Sequence, residues 1–121
     1  MKALVIDDEE DVRYIVRLSL GRVGGMTVLE ASNGPEGIAI AKSERPAFIL
    51  LDMMMPGMAG TAVFHELRAS PETAEIPVVF LTAVIRTYDV ERMKDLGAKG
   101  VIRKPFDPLQ LANEIAAILG A

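Results

Sequence analysis

At 121 residues, half of them apolar and a quarter charged, the chain has room for one folded domain with a real core, and its composition is not that of a disordered segment. A formal charge of −4 argues against a general binder of nucleic acid or of anionic membranes, since either would call for a basic face. With no cysteine there is neither a disulfide scaffold nor a thiolate metal site.

The first apolar run, Ala3-Leu4-Val5-Ile6, meets Asp7-Asp8. It is too short for a signal peptide, and aspartates stand where a cleavage region should be. No apolar run is long enough to span a bilayer, so a cytoplasmic protein with no membrane partner is expected. Glu9 to Val23 predicts a helix, with Val12, Ile15, Val16, Leu20 and Val23 at helical spacing and Gly24-Gly25 to end it. Met26 to Ala31 is a strand with a polar interruption, which places it at a sheet edge. Asn33-Gly34-Pro35 turns the chain into a helix bearing Ile38, Ala39 and Ala41 that stops before Pro46. Phe48-Ile49-Leu50-Leu51 then runs into Asp52, and a third helix spans Gly60 to Ala69, closed by Ser70-Pro71. Val78-Val79-Phe80-Leu81 runs into Thr82, and a helix from about Thr87 stops at Gly97. Val101-Ile102-Arg103 leads to Lys104-Pro105, and the last helix runs from Pro108 to Leu119.

This alternation of strand and helix is the sequence form of a βαβ fold, and short continuous apolar runs suit strands covered on both faces. The first, third and fourth runs are the most apolar and so should be central. The second carries Glu30 and the fifth Arg103, which suits edges. That ranking favours a five-stranded parallel sheet in the order 2-1-3-4-5, the flavodoxin-like α/β arrangement with helices on both faces. Residues 1–121 are read as a single domain.

If these strands are parallel, their carboxyl ends lie along one edge, where open α/β sheets bind ligands. Asp7, Asp8, Asp52, Thr82 and Lys104 would then converge. Two unit charges at contact distance cost roughly 4 kcal/mol at an effective dielectric near 20, so packed carboxylates should raise one another's pKa values. A divalent cation removes that penalty. Oxygen ligands without His or Cys point to Mg²⁺, with Mn²⁺ possible, and not to zinc. The set suits a cation and a phosphoryl group, with one carboxylate free to attack. Acidic residues are also favoured in a helix's first turn, which accounts for Glu9, Glu10 and Asp11 but not for Asp52 and Lys104 at equivalent strand ends.

The ordered set Asp7-Asp8, Asp52-Met53-Met54-Met55-Pro56-Gly57, Thr82-Ala83 and Lys104-Pro105-Phe106 resembles the response-regulator receiver domain, the CheY-like module of two-component signalling. The resemblance covers the whole chain. It implies that Asp52 takes a phosphoryl group from a phosphohistidine on a histidine kinase or a histidine phosphotransfer protein. It implies that Asp8, Asp52 and the backbone carbonyl of Met54 coordinate magnesium directly and Asp7 through water. Thr82 and Lys104 would hold the remaining phosphoryl oxygens, and Lys104-Pro105 would be a cis peptide. The resemblance implies a signalling module and not a conventional enzyme, acting on a downstream protein in a monomeric or weakly dimeric state.

Several residues qualify that resemblance. Met54 and Val84 stand where the family flanks the path of attacking water; both are apolar, which predicts slow self-dephosphorylation. Val101 stands three residues before the lysine, where receivers that switch an output commonly carry an aromatic. A β-branched side chain lacks the inward and outward rotamer pair that would couple to Thr82. Tyr14 and Leu18, with Ile15 between, should face away from the core on the first helix and offer a docking strip that Phe106 could extend, and Val101 is assigned to the same partner surface. His65 is read as a surface residue, the Met53-Met54-Met55 run with Met58 as apolar loop packing, and Ile115 to Leu119 as a dimer face or a stub that packs on a following domain.

Two other classes fit these residues less well. A magnesium-dependent phosphatase of the haloacid dehalogenase class needs a second aspartate two residues past the nucleophile, where Met54 stands, and usually a cap domain. A flavodoxin-like electron carrier needs a phosphate-cradling loop after the first strand, but Asp7-Asp8-Glu9-Glu10 would repel it, and no tryptophan is present to stack on a flavin. Within the receiver reading, a stand-alone shuttle and the excised front half of a longer regulator both remain open.

Overall fold

The computed structural model describes residues 1–83 and 87–120, with side chains at all of these except 87–89. Five strands run β1 (Lys2–Ile6), β2 (Thr27–Ala31), β3 (Phe48–Asp52), β4 (Val78–Thr82) and β5 (Gly100–Arg103). They form one sheet, all neighbours parallel, in the order β2-β1-β3-β4-β5 that the apolar ranking favoured. All residues of β3 and β4 are buried, whereas β2 holds half-buried residues over Val28–Glu30 and β5 ends on exposed Arg103.

The helices are α1 (Glu10–Leu18), α2 (Gly34–Glu44), α3 (Gly60–Ala69), α4 (Thr87–Asp95) and α5 (Leu111–Leu119). Alternate strand residues point to opposite faces, which divides the core in two. On one face Leu4, Ile6, Ile49, Leu51, Val78 and Phe80 pack with α2, α3 and Met93 of α4. On the other, Ala3, Val5, Leu50, Val79 and Leu81 pack with Val16, Leu20, Leu111 and Ile115. Gly37 lets α2 lie flat on β1, since a Cβ there would meet Ile6 Cδ1 at 2.4 Å.

Two helices depart from the sequence expectation. The first does not continue as an α-helix to Val23: after Leu18 it widens into a π-helical turn, Ser19–Val23, closed by Gly24 N–H donating to the Ser19 carbonyl at 3.2 Å. The wider turn rotates the later residues about the axis. Ser19 comes to be buried and its hydroxyl donates to the Pro108 carbonyl, while Val23, expected in the core stripe, is 56% exposed. Val23→Lys should therefore change stability by no more than about 0.5 kcal/mol in urea unfolding, where a core valine would cost several times that. The last helix begins at Leu111 and not at Pro108; residues 108–110 form turns anchored by Leu109 N–H donating to Asp107 Oδ1 at 2.9 Å.

Other expectations are corrected in part. Leu18, the last residue before the widening, is half-buried and not on the open side with Tyr14. Val101 is half-buried against the α2/α3/α4 core, and Phe106 packs on the α1/α5 core, so neither is a free-standing patch. Met55 is buried and Met53 and Met58 pack on the core as expected, but Met54 is 79% exposed. Ile115 is buried and Ile118 and Leu119 pack on the same core, which occupies much of that stretch's apolar surface. His65 is exposed on α3. Val84 lies outside the described residues.

Candidate functional site

Register brings the chemistry together. Ile6 pairs with Leu51, so the next residues, Asp7 and Asp52, leave neighbouring strands side by side. Thr82 pairs with Arg103 at the end of β4, so Lys104 follows at the same edge, its N–H donating to the Thr82 carbonyl at 2.7 Å. The Lys104-Pro105 bond is cis. Asp7 is fully buried, Asp52 is 3% and Thr82 5% exposed, while Asp8 is exposed at the mouth.

The Lys104 ammonium lies between the two buried carboxylates, 2.7 Å from Asp7 Oδ2 and 3.4 Å from Asp52 Oδ1. Backbone donors hold the other contacts: Glu9 N–H to Asp7 Oδ1 at 2.9 Å and Met54 N–H to Asp52 Oδ1 at 3.3 Å. Asp7, Asp8 and Asp52 each offer a carboxylate oxygen within 4.8 Å of the others. Three hard oxygen donors this close together suit a divalent cation of the magnesium type. The Tyr14 and Ile15 side chains stand exposed on α1, which rises from the same acidic loop.

The electrostatics show why such a cation would be welcome. The Asp52 carboxyl is pushed up from 3.8 to about 6, first by burial and next by the Asp7 charge; Lys104 and the Met54 N–H pull it only part of the way back. Burial tends to lower the Lys104 ammonium, but the Asp7 and Asp52 carboxylates outweigh it and hold its pKa above the ordinary value. One ammonium is thus shared between two buried anions, leaving excess negative charge.

Gly60 shows how closely the site is built. A Cβ there would fall 2.3 Å from the Asp52 carbonyl oxygen and 2.9 Å from Met53 Cα, both backbone atoms that cannot swing aside. Gly60 N–H donates to the Met53 carbonyl at 3.0 Å, binding the start of α3 to the end of β3. Helix propensity alone would make Gly60→Ala stabilising by up to about 1 kcal/mol. The overlap should reverse the sign, lowering urea-unfolding stability by roughly 1–3 kcal/mol.

The structure brings Asp7, Asp8, Asp52 and Lys104 together, and Thr82 ends the neighbouring strand at the same sheet edge. Two that carried no sequence signal also reach the site. Glu9, read only as a first-turn acid, places Oε1 3.6 Å from Lys104 Nζ. Arg13 donates to the Asp7 carbonyl. A single basic residue on an amphipathic helix looks like solvated surface, and only the packing of α1 against the strand end reveals the contact.

Residues 3–116 match the family model described as the response regulator receiver domain. Protein PilH of Pseudomonas aeruginosa is 34% identical over 118 residues, covering 98% of this chain and 97% of PilH. A probable transcriptional regulator, ycf27, of Porphyridium aerugineum is 38% identical over 118 residues, covering 98% of this chain and 48% of that protein. The chain thus spans about half the length of the ycf27 relatives it matches. Among solved structures, the chemotaxis protein CheY4 of Vibrio cholerae superposes with a TM-score of 0.89 at 29% identity, covering 97% of both chains.

Proposed function

The chain belongs to the response regulator receiver domain family of two-component signalling, and from that premise we propose that it accepts a phosphoryl group on Asp52 in a magnesium-dependent reaction and so changes the surface it shows to a partner. The observation that carries this reading is the meeting of Asp7, Asp8 and Asp52 within 4.8 Å, with Lys104 Nζ 3.4 Å from Asp52. The Asp52 carboxylate is the nucleophile: one oxygen bonds to phosphorus as the phosphorus–nitrogen bond of a donor phosphohistidine breaks, and the imidazole leaves with the electron pair. The Lys104 ammonium and the Thr82 hydroxyl receive the phosphoryl oxygens, releasing Lys104 in part from Asp7. Asp8, Asp52 and the Met54 carbonyl would hold Mg²⁺ (or Mn²⁺), with Asp7 as a supporting carboxylate. Bound there, the ion neutralises charge that develops on the transferring group.

Donor recognition falls to the α1 surface around exposed Tyr14 and Ile15, where a histidine kinase or histidine phosphotransfer protein would dock; Leu18 adds little because it is half-buried. With Val101 in place of an aromatic, output would reach the downstream protein through the backbone or the Phe80 to Val84 segment and not through threonine–aromatic coupling. We read residues 1–121 as one receiver domain working in the cytoplasm; no described helix is long and apolar enough to cross a membrane.

Incubation with acetyl phosphate and Mg²⁺, followed by intact mass measurement, tests the reading: one phosphoryl adduct should form, and EDTA should prevent it. Met54 is exposed beside the acceptor and has no side-chain group to orient an attacking water. Once donor is removed the adduct should therefore persist, and Met54→Asn should shorten its half-life several-fold. Rapid loss from the wild-type chain would refute the lifetime argument.

A further inference from the structure

β1 ends at Ile6, so the Asp7 carbonyl has left the ladder, yet Asp7 is fully buried. A buried carbonyl without a partner is costly. Arg13, at the end of the first turn of α1, supplies the partner: Nη1 donates to the Asp7 carbonyl at 2.8 Å. The same guanidinium lies against β2, with Nε 3.5 Å from Glu30 Oε1, and only 16% of the side chain is exposed. Glu30 is held in turn by Arg17, whose Nη1 lies 2.7 Å from Oε2. Helix α1, the edge strand β2 and the peptide joining Asp7 to Asp8 are therefore fastened by one planar group.

We propose that Arg13 is a positioning residue for the cation site: by fixing the Asp7 carbonyl it orients the 7–8 peptide and so aims the exposed Asp8 carboxylate into the cluster. This rests on the magnesium-binding reading of Asp7, Asp8 and Asp52. It has a consequence opposite in sign to that of charge alone. Arg13 is a cation near a cation site, so as a mere charge it repels Mg²⁺, and its removal should tighten binding. As a clamp on the peptide it helps binding, and its removal should loosen it. Outer contacts of this kind commonly shift metal affinity by 10- to 100-fold. Arg17 is the internal control: it has the same charge and the same Glu30 partner, but no contact with the Asp7 carbonyl among the described interactions.

The test is calorimetric titration of metal-free protein with Mg²⁺ for the wild type, Arg13→Met, Arg13→Gln and Arg17→Met, each first checked for cooperative unfolding. Arg13→Met keeps most of the stem packing, and Arg13→Gln keeps a polar, helix-compatible side chain should the methionine variant fold poorly. We expect roughly tenfold weaker Mg²⁺ binding in both Arg13 variants and no more than a twofold change in Arg17→Met. Amide exchange at Asp8 and Glu9 should accelerate in the Arg13 variants while the central strands stay protected. Unchanged or tighter binding in the Arg13 variants overturns the proposal, as does equal weakening in Arg17→Met. Absence of Mg²⁺ binding in the wild type would instead remove the reading on which it stands.

Discussion

Asp52→Asn should abolish the phosphoryl adduct and, without metal, make the protein more stable at neutral pH. The first effect follows because an amide is no nucleophile toward phosphorus. The second follows from linkage. The folded Asp52 titrates at about 6 against 3.8 for the ordinary carboxyl. Between those values the folded state holds a proton that the unfolded chain has lost, so wild-type stability falls as pH rises through the window. Above it, ionisation in the fold costs as much as about 2–3 kcal/mol, which the neutral asparagine does not incur. In EDTA, thermal melts should show the variant ahead by several degrees at pH 7 and level with the wild type near pH 4. Saturating Mg²⁺ should raise the wild type more than the variant and narrow the gap. An adduct on the variant, or a variant less stable at pH 7, would contradict this account.

Lys104→Met should act in the opposite direction. The ammonium is the counter-charge common to Asp7 and Asp52, at 2.7 and 3.4 Å. Removing one partner of a buried ion pair typically costs about 3–5 kcal/mol, because the remaining charge is left uncompensated. Here two carboxylates are left, so the Asp52 carboxyl should move further above its present value and hold a proton at neutral pH. Glu9, exposed and on the solvent side of the lysine, gives little in either direction. Urea unfolding in EDTA at pH 7 should show the loss, and adding Mg²⁺ should restore a large part of it. Asp52→Asn introduced into Lys104→Met should recover stability, and the double variant should depart from additivity. Phosphorylation by acetyl phosphate should slow, since a donor to the transferring oxygens is gone. If the metal-free variant proves as stable as the wild type, the lysine is not the counter-charge described.

Much of this molecule could be read from local pattern. The apolar runs 3–6, 48–51 and 78–81 became buried strands, since a strand covered on both faces suits a short uninterrupted apolar stretch. Asp52, Thr82 and Lys104 could be grouped because parallel strands share one carboxyl edge. Other features were not legible. Val23 sits at helical spacing from Leu20, and nothing in the residues 19–23 signals a π turn; the turn answers to contacts with α5 and with Pro108, far along the chain. Pro108 looks like a helix start, yet α5 begins at Leu111, after turns closed by the side chain of Asp107.

The sequence by itself determined the strand–helix alternation, the central and edge strands, and the residues delivered to one edge, because periodicity and strand direction are local properties. Tertiary structure alone decided how the charges are shared. That Lys104 approaches Asp7 more closely than Asp52, that Asp52 rises to about 6, and that Arg13 grips the Asp7 carbonyl depend on distances across β1, β3, β5 and α1. Coulomb and hydrogen-bond energies vary steeply with separation and burial, and no spacing along a chain encodes either.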